Sequence, residues 1–113
     1  MATTPEGKVK AKVDRLLKSY GKEVWFAKMQ TGGFGKSGVP DYICCVNSYT
    51  VVIETKATEK QQPTALQTLE LLAVKAAGGL SLVINADNIA GLQSCLDQLL
   101  ALPSRNELTT GRK

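Results

Sequence analysis

Apolar side chains recur at helical spacing through Val9, Val13, Leu16, Leu17 and Tyr20, with lysines between them, until Gly21 interrupts the pattern. This predicts a first helix over about residues 4 to 20, opened by Thr3 with Pro5 and Glu6 as a capping box. Val24 to Met29 reads as a strand apolar enough to be covered on both sides. Two runs rich in β-branched and aromatic residues, Tyr42 to Val46 and Tyr49 to Ile53, flank Asn47-Ser48, a two-residue turn because Asn tolerates positive φ. After a polar loop from Ala57 to Pro63, Thr64 with Gln67 at its third position caps a second helix. Its expected buried stripe is Leu66, Leu69, Leu72, Ala73 and Ala76, and Gly78-Gly79 closes it. Leu80 to Ile84 is wholly apolar and is expected at the centre of the sheet. Asn88 caps a last helix that turns Ile89, Leu92, Cys95, Leu96, Leu99 and Leu100 inward and stops before Pro103. The order αβββαβα predicts an α/β fold, a mixed four-stranded sheet flanked by helices, with the second helix as a parallel crossover. Residues 1 to 103 read as a single domain and the polar run 104 to 113 as a disordered tail.

The hairpin carries charges where none belong. If the loop is Asn47-Ser48, Val46 faces Tyr49 and Asp41 lies directly opposite Glu54, with side chains roughly 5 Å apart at Cβ. Alternation sends Lys56 to the face of Glu54. Opposed like charges destabilise a sheet, and a carboxylate on an apolar strand costs several kcal/mol unless compensated. A divalent cation supplies that compensation, and hard oxygen ligands with positions left for water and phosphate describe a Mg²⁺ site used on phosphate esters. The competing reading is a surface ion pair of Glu54 and Lys56, with Asp41 merely starting a strand after Pro40.

Composition narrows the chemistry. The chain has no histidine, which removes Ser-His-Asp and Cys-His catalysis and every zinc site that needs imidazole. Three cysteines, two of them adjacent, suggest neither a disulfide framework nor a thiolate site, and are expected as buried small hydrophobes. A net charge of +4 favours a polyanionic partner only weakly. Its distribution says more: residues 1 to 40 hold Lys8, Lys10, Lys12, Arg15, Lys18, Lys22, Lys28 and Lys36 against three acidic residues. That asymmetry suits DNA phosphates, or is simply a solvated helix face. The glycine-rich loop Thr31 to Gly38 lacks the spacing of a Walker A motif, and reads either as a phosphate-contacting loop or as a plain connection. No apolar run suits a membrane span or signal peptide, so the cytoplasm is the expected location.

Pro40-Asp41 followed, about a dozen residues on, by Glu54-Thr55-Lys56 resembles the PD-(D/E)XK nuclease signature. With Gly38-Val39 before it, Thr64-Ala65-Leu66-Gln67 opening the next helix and Gly78-Gly79 beyond, the chain resembles the VRR-NUC branch, small stand-alone versions of which occur in phages. The likeness spans roughly Glu6 to Ile84. It implies a restriction-endonuclease-like α/β/α core and a Mg²⁺- or Mn²⁺-dependent deoxyribonuclease leaving 5′-phosphates. Asp41, Glu54 and the Thr55 carbonyl would be metal ligands, with Glu6 acting through water or a second ion; Lys56 would position the water, and Gln67 would orient either. Glu6 and Gln67 also read simply as helix caps. Gly35, Lys36, Ser37, Lys28, Lys8 and Lys12 are the candidate DNA contacts. The small relatives imply a homodimer acting on branched DNA such as four-way junctions. A non-cleaving DNA-binding module of the same fold and a small α/β interaction protein are the alternatives.

Overall fold

The turn at Asn47-Ser48 sets the architecture. Both residues take positive φ, 51° and 68°, the combination of a type I′ turn whose twist matches that of the flanking strands. Strand β2 (Tyr42–Val46) therefore pairs antiparallel with β3 (Tyr49–Thr55) in the expected register, Val46 with Tyr49 and Tyr42 with Ile53. The computed structural model describes residues 4–29 and 36–104. Within them β1 (Val24–Lys28) lies antiparallel beside β2, and β4 (Leu80–Ile84) parallel beside β3, giving a mixed sheet in the order β1-β2-β3-β4.

Among the described residues three α-helices flank the sheet: α1 (Pro5–Ser19), α2 (Ala65–Ala76) and α3 (Ile89–Ala101). The α/β class and element order are those expected. Val9, Val13 and Leu17 of α1 and Leu92, Leu96 and Leu99 of α3 join Val24, Tyr42, Cys44, Val46, Val51, Ile53 and Ile84 in one buried cluster. These strand residues alternate, so α1 and α3 share one face of the sheet. On the other face, α2 packs over β4, where the Ser81 hydroxyl donates to the Leu71 carbonyl at 2.7 Å. Asn47 ties the turn to the end of α3, its side-chain amide donating to the carbonyls of Leu99 and Leu102 at 2.9 and 2.7 Å.

Several expectations are corrected. Thr3 lies outside the described residues, and the N-cap of α1 is Thr4, whose hydroxyl accepts from the Gly7 amide at 3.0 Å. β4 is an edge strand, not a central one. Its apolar run reflects coverage of both faces, since Leu80, Leu82 and Ile84 pack toward α1 and α3 while Ser81 meets α2. β1 is the other edge and is covered on one face only, leaving Trp25 60% exposed beside the exposed Cys45, its register partner. Of the three cysteines Cys44 is buried and Cys45 exposed, because neighbours on a strand point to opposite faces, while Cys95 is half-buried on α3 against the core. α2 is rotated from its expected orientation: Leu66, Leu69 and Leu72 stand 55%, 62% and 54% exposed, and Ala73 and Ala76 are exposed too. Leu71 is its buried residue, with Gln67, Glu70 and Val74 half-buried beside it. The polar members of that inner stripe are satisfied locally, Gln67 by the cap and Glu70 by Lys36, so turning them inward leaves no stranded charge.

A candidate metal and phosphate site at the end of the hairpin

The hairpin register carries Asp41 and Glu54 to the same end of the sheet. Asp41 is just outside β2, and its Oδ2 accepts two bonds from Thr55, from the backbone amide at 2.8 Å and the hydroxyl at 2.6 Å. The side chain thus stands in for the backbone carbonyl that a longer β2 would offer, and its orientation is fixed. Glu54 is 2% exposed. Its Oε2 lies 3.4 Å from the Lys56 ammonium, itself largely buried, while its Oε1 is buried with no hydrogen-bond partner among the described residues. Burial, then the neighbouring Asp41, pushes the Glu54 carboxyl up to about 7 despite the pull of Lys56, and Glu6 adds to the rise.

Helix α1 brings the other charges. Tyr42 is buried in β2, with its hydroxyl 2.5 Å from Asp14 Oδ1, which docks α1 against the hairpin. Burial and Asp14 hold that hydroxyl well above the usual phenol range. Glu6 and Lys10 lie one turn apart on α1, and the Lys10 ammonium stands 3.5 Å from Glu6 Oε2 and 3.7 Å from Asp41 Oδ1. Among the described residues no three acidic or cysteine side chains close on one point. Lys10 instead separates Glu6 from Asp41. It also lines two neighbouring clefts, one with Glu6, Gly7, Ala57 and Gln61, the other with Lys28, Met29, Asp41 and Tyr42.

The donor set suits a hard divalent cation. The unpartnered Glu54 Oε1 and the loosely held Asp41 Oδ1 are carboxylate oxygens with capacity to spare, and neither nitrogen nor sulfur ligands intrude.

The remaining expected residues are placed as follows. Gln67 completes the capping box of α2, its Oε1 accepting from the Thr64 amide at 2.9 Å. Lys36 pairs with Glu70 at 3.2 Å, and Ser37 beside it is exposed. Gly38 follows with φ +81°, and a Cβ there would lie 2.7 Å from the backbone carbonyl of Leu66, so this loop sits directly on the start of α2. Lys28 pairs with Asp14 at 2.6 Å. Lys8 and Lys12 are exposed on α1. Gly35 lies outside the described residues. Lys10 is the member that sequence reasoning missed as a site residue. Its signal was there, since four residues after Glu6 places it beside that carboxylate on one helix face.

The chain shares its fold with a solved structure described as a VRR_NUC domain, at a TM-score of 0.64 and 22% sequence identity, over 88% of this chain and 96% of that one. It matches no protein-family model, and no curated protein at a significant level.

Proposed function

We propose that this chain is a metal-dependent endonuclease hydrolysing DNA phosphodiester bonds. The observation that carries the reading is the buried Glu54 carboxylate, flanked by Asp41 and Lys56 and left with one oxygen unpartnered. A charge in that position lowers stability unless something binds it, which argues for a use. The fold shared with a VRR_NUC domain supports the same reading.

Asp41 Oδ1 and Glu54 Oε1 would hold one Mg²⁺ or Mn²⁺, with the Thr55 carbonyl as the third protein ligand and Glu6 acting through water. A cation bound there acidifies a water and stabilises charge growing on the phosphate. Asp41 is kept in position by its two bonds from Thr55. Lys56, a compact ammonium held against Glu54, orients the attacking water and neutralises charge on the non-bridging oxygens. In-line displacement breaks the bond from phosphorus to the 3′ oxygen and leaves a 5′-phosphate. Gln67 has its carbonyl oxygen committed to the cap of α2, so its amide nitrogen is the part assigned to orienting Lys56 or the water. Lys8, Lys12, Lys28, Lys36, Ser37 and Gly35 are assigned to DNA phosphates, where lysines give shape-directed, salt-sensitive binding with little base readout.

We further assign a homodimer acting on branched DNA such as four-way junctions, because two active sites related by a two-fold axis suit paired cuts on opposing strands. The exposed leucine stripe of α2 supports a second copy as its cover.

The test incubates an end-labelled four-way junction and a matched linear duplex with Mg²⁺, Mn²⁺ or EDTA, with Lys56→Ala alongside the wild type. Metal-dependent, symmetric junction cuts that fall about a thousandfold or more in the variant are expected. Cutting of both substrates discards junction selectivity; binding without cleavage replaces the nuclease with a DNA-binding module.

A further inference from the structure

Lys10 was assigned no role by its position in the sequence, yet among the described residues it is the cation nearest both Glu6 and Asp41. Three carboxylates approach this end of the hairpin, and Glu6 and Asp41 are near enough to Glu54 to raise its pKa. They do not close into a ligand cluster. The ammonium of Lys10 occupies the gap, 3.5 Å from one carboxylate and 3.7 Å from the other. These separations are longer than a tight charge-assisted hydrogen bond of about 2.8 Å, which marks a cation shared between two anions and not a pair locked to one. We propose that Lys10 takes the place of a second metal ion, balancing Glu6 and Asp41 so that the site binds one divalent cation. The inference rests on the metal-dependent reading above and names what limits the metal count.

The geometry favours lysine for this task. Glu6 and Lys10 ride on the same helix, so the pair is preformed and moves as a unit with α1. Asp41 Oδ2 is committed to Thr55, leaving Oδ1 as the oxygen that faces Lys10 and would also meet the one ion. Lys10 also lines both clefts, the one beside Glu6 and Gln61 and the one beside Asp41 and Lys28, so it borders the space open to a phosphate chain. A phosphate arriving there meets a fixed positive charge in addition to the single ion.

The test is Mn²⁺ binding to the full chain without DNA, read by isothermal titration calorimetry and by the Mn²⁺ resonance spectrum, which reports coupling between adjacent ions. The wild type and Lys10→Arg should bind one Mn²⁺ per chain. Lys10→Met should bind two, with spin-coupled Mn²⁺ and a first ion held about tenfold more tightly, since the variant lacks the positive charge 3.7 Å from Asp41 Oδ1 that would repel a cation held there. Adding Glu6→Gln to Lys10→Met should abolish the second ion. The Lys10 side chain is about half exposed, so thermal melting should show each variant folded. One ion bound equally by the wild type and Lys10→Met, or two bound by the wild type, overturns the role given to Lys10 and leaves the nuclease reading standing. No Mn²⁺ bound by any of them overturns both.

Discussion

The two faces of the sheet are built differently. Toward α1 and α3, residues such as Val13, Leu17, Val46, Val51, Ile53, Leu92 and Leu96 are completely buried in one continuous core. Toward α2, coverage is partial: Val52 and Leu71 are buried, Trp25 and Cys45 stand in the open, and the row of side chains ends in Glu54. One face holds the fold together. The other carries a buried charge, an uncovered strand pair and an apolar helix surface, each of which lowers stability or solubility in an isolated chain and so points to ligands and partners. The proposed site lies where this thinner face meets the start of α1, so a metal and DNA would reach it without opening the core.

Substitutions on the two faces should therefore behave oppositely. Leu96→Ala removes a fully buried side chain from the continuous core and should cost about 3 kcal/mol by urea denaturation, with lost burial and a residual cavity adding together. A loss under about 1 kcal/mol would mean that this face is as loosely packed as the other.

At the thin face the sign reverses. The folded Glu54 pKa of about 7 lies above its ordinary value of 4.5, so the folded chain retains a proton that the unfolded chain has lost across that window. Stability from this group is greatest below pH 4.5, falls as pH rises toward 7, and levels off above it. Glu54→Gln keeps the shape without the charge. In EDTA it should match the wild type near pH 4 and be more stable by up to about 3 kcal/mol at pH 8, while cleavage is lost. The attraction of Lys56 is already included in the raised pKa, so it does not change the sign. A variant less stable than the wild type at pH 8 would show that Glu54 serves the fold instead of the site.

The contrast also explains what could be read from the chain. Where local chemistry decides, the residues were sufficient: Asn47-Ser48 dictates a positive-φ turn, the turn dictates the register, and the register alone brings Asp41 opposite Glu54 with Lys56 alongside. Thr64 and Gln67 likewise announce their capping box. Tertiary placement was not legible. α2 has apolar residues on two stripes, and the richer one, Leu66, Leu69 and Leu72, faces outward while Leu71 and Val74 turn to the sheet, a choice that the sequence pattern of α2 does not reveal. β4 looks central because both its faces are covered, and no pattern of side chains reports whether its edge is paired. Lys10 is one of eight basic residues before position 41; its spacing from Glu6 sets it apart from Lys8 and Lys12, but the docking of α1 through Tyr42 and Asp14 is what brings it to Asp41.

The smallest stability change sharpens the comparison most. Leu69 is the most exposed of the α2 leucines, so Leu69→Asp removes little buried surface and should alter the stability of the dissociated chain by no more than about 0.5 kcal/mol. If the α2 face meets a second copy, the same substitution places a carboxylate and its two-fold mate in an apolar seam, where each is desolvated without a partner. Sedimentation velocity should then show a wild-type dimer and a monomeric variant, and symmetric junction cuts should give way to single nicks. A wild type that sediments as a monomer with and without DNA removes the paired-cut assignment. The exposed leucines would then need another cover, whereas Asp41, Glu54 and Lys56, fixed by the hairpin of a single chain, would keep their assigned roles.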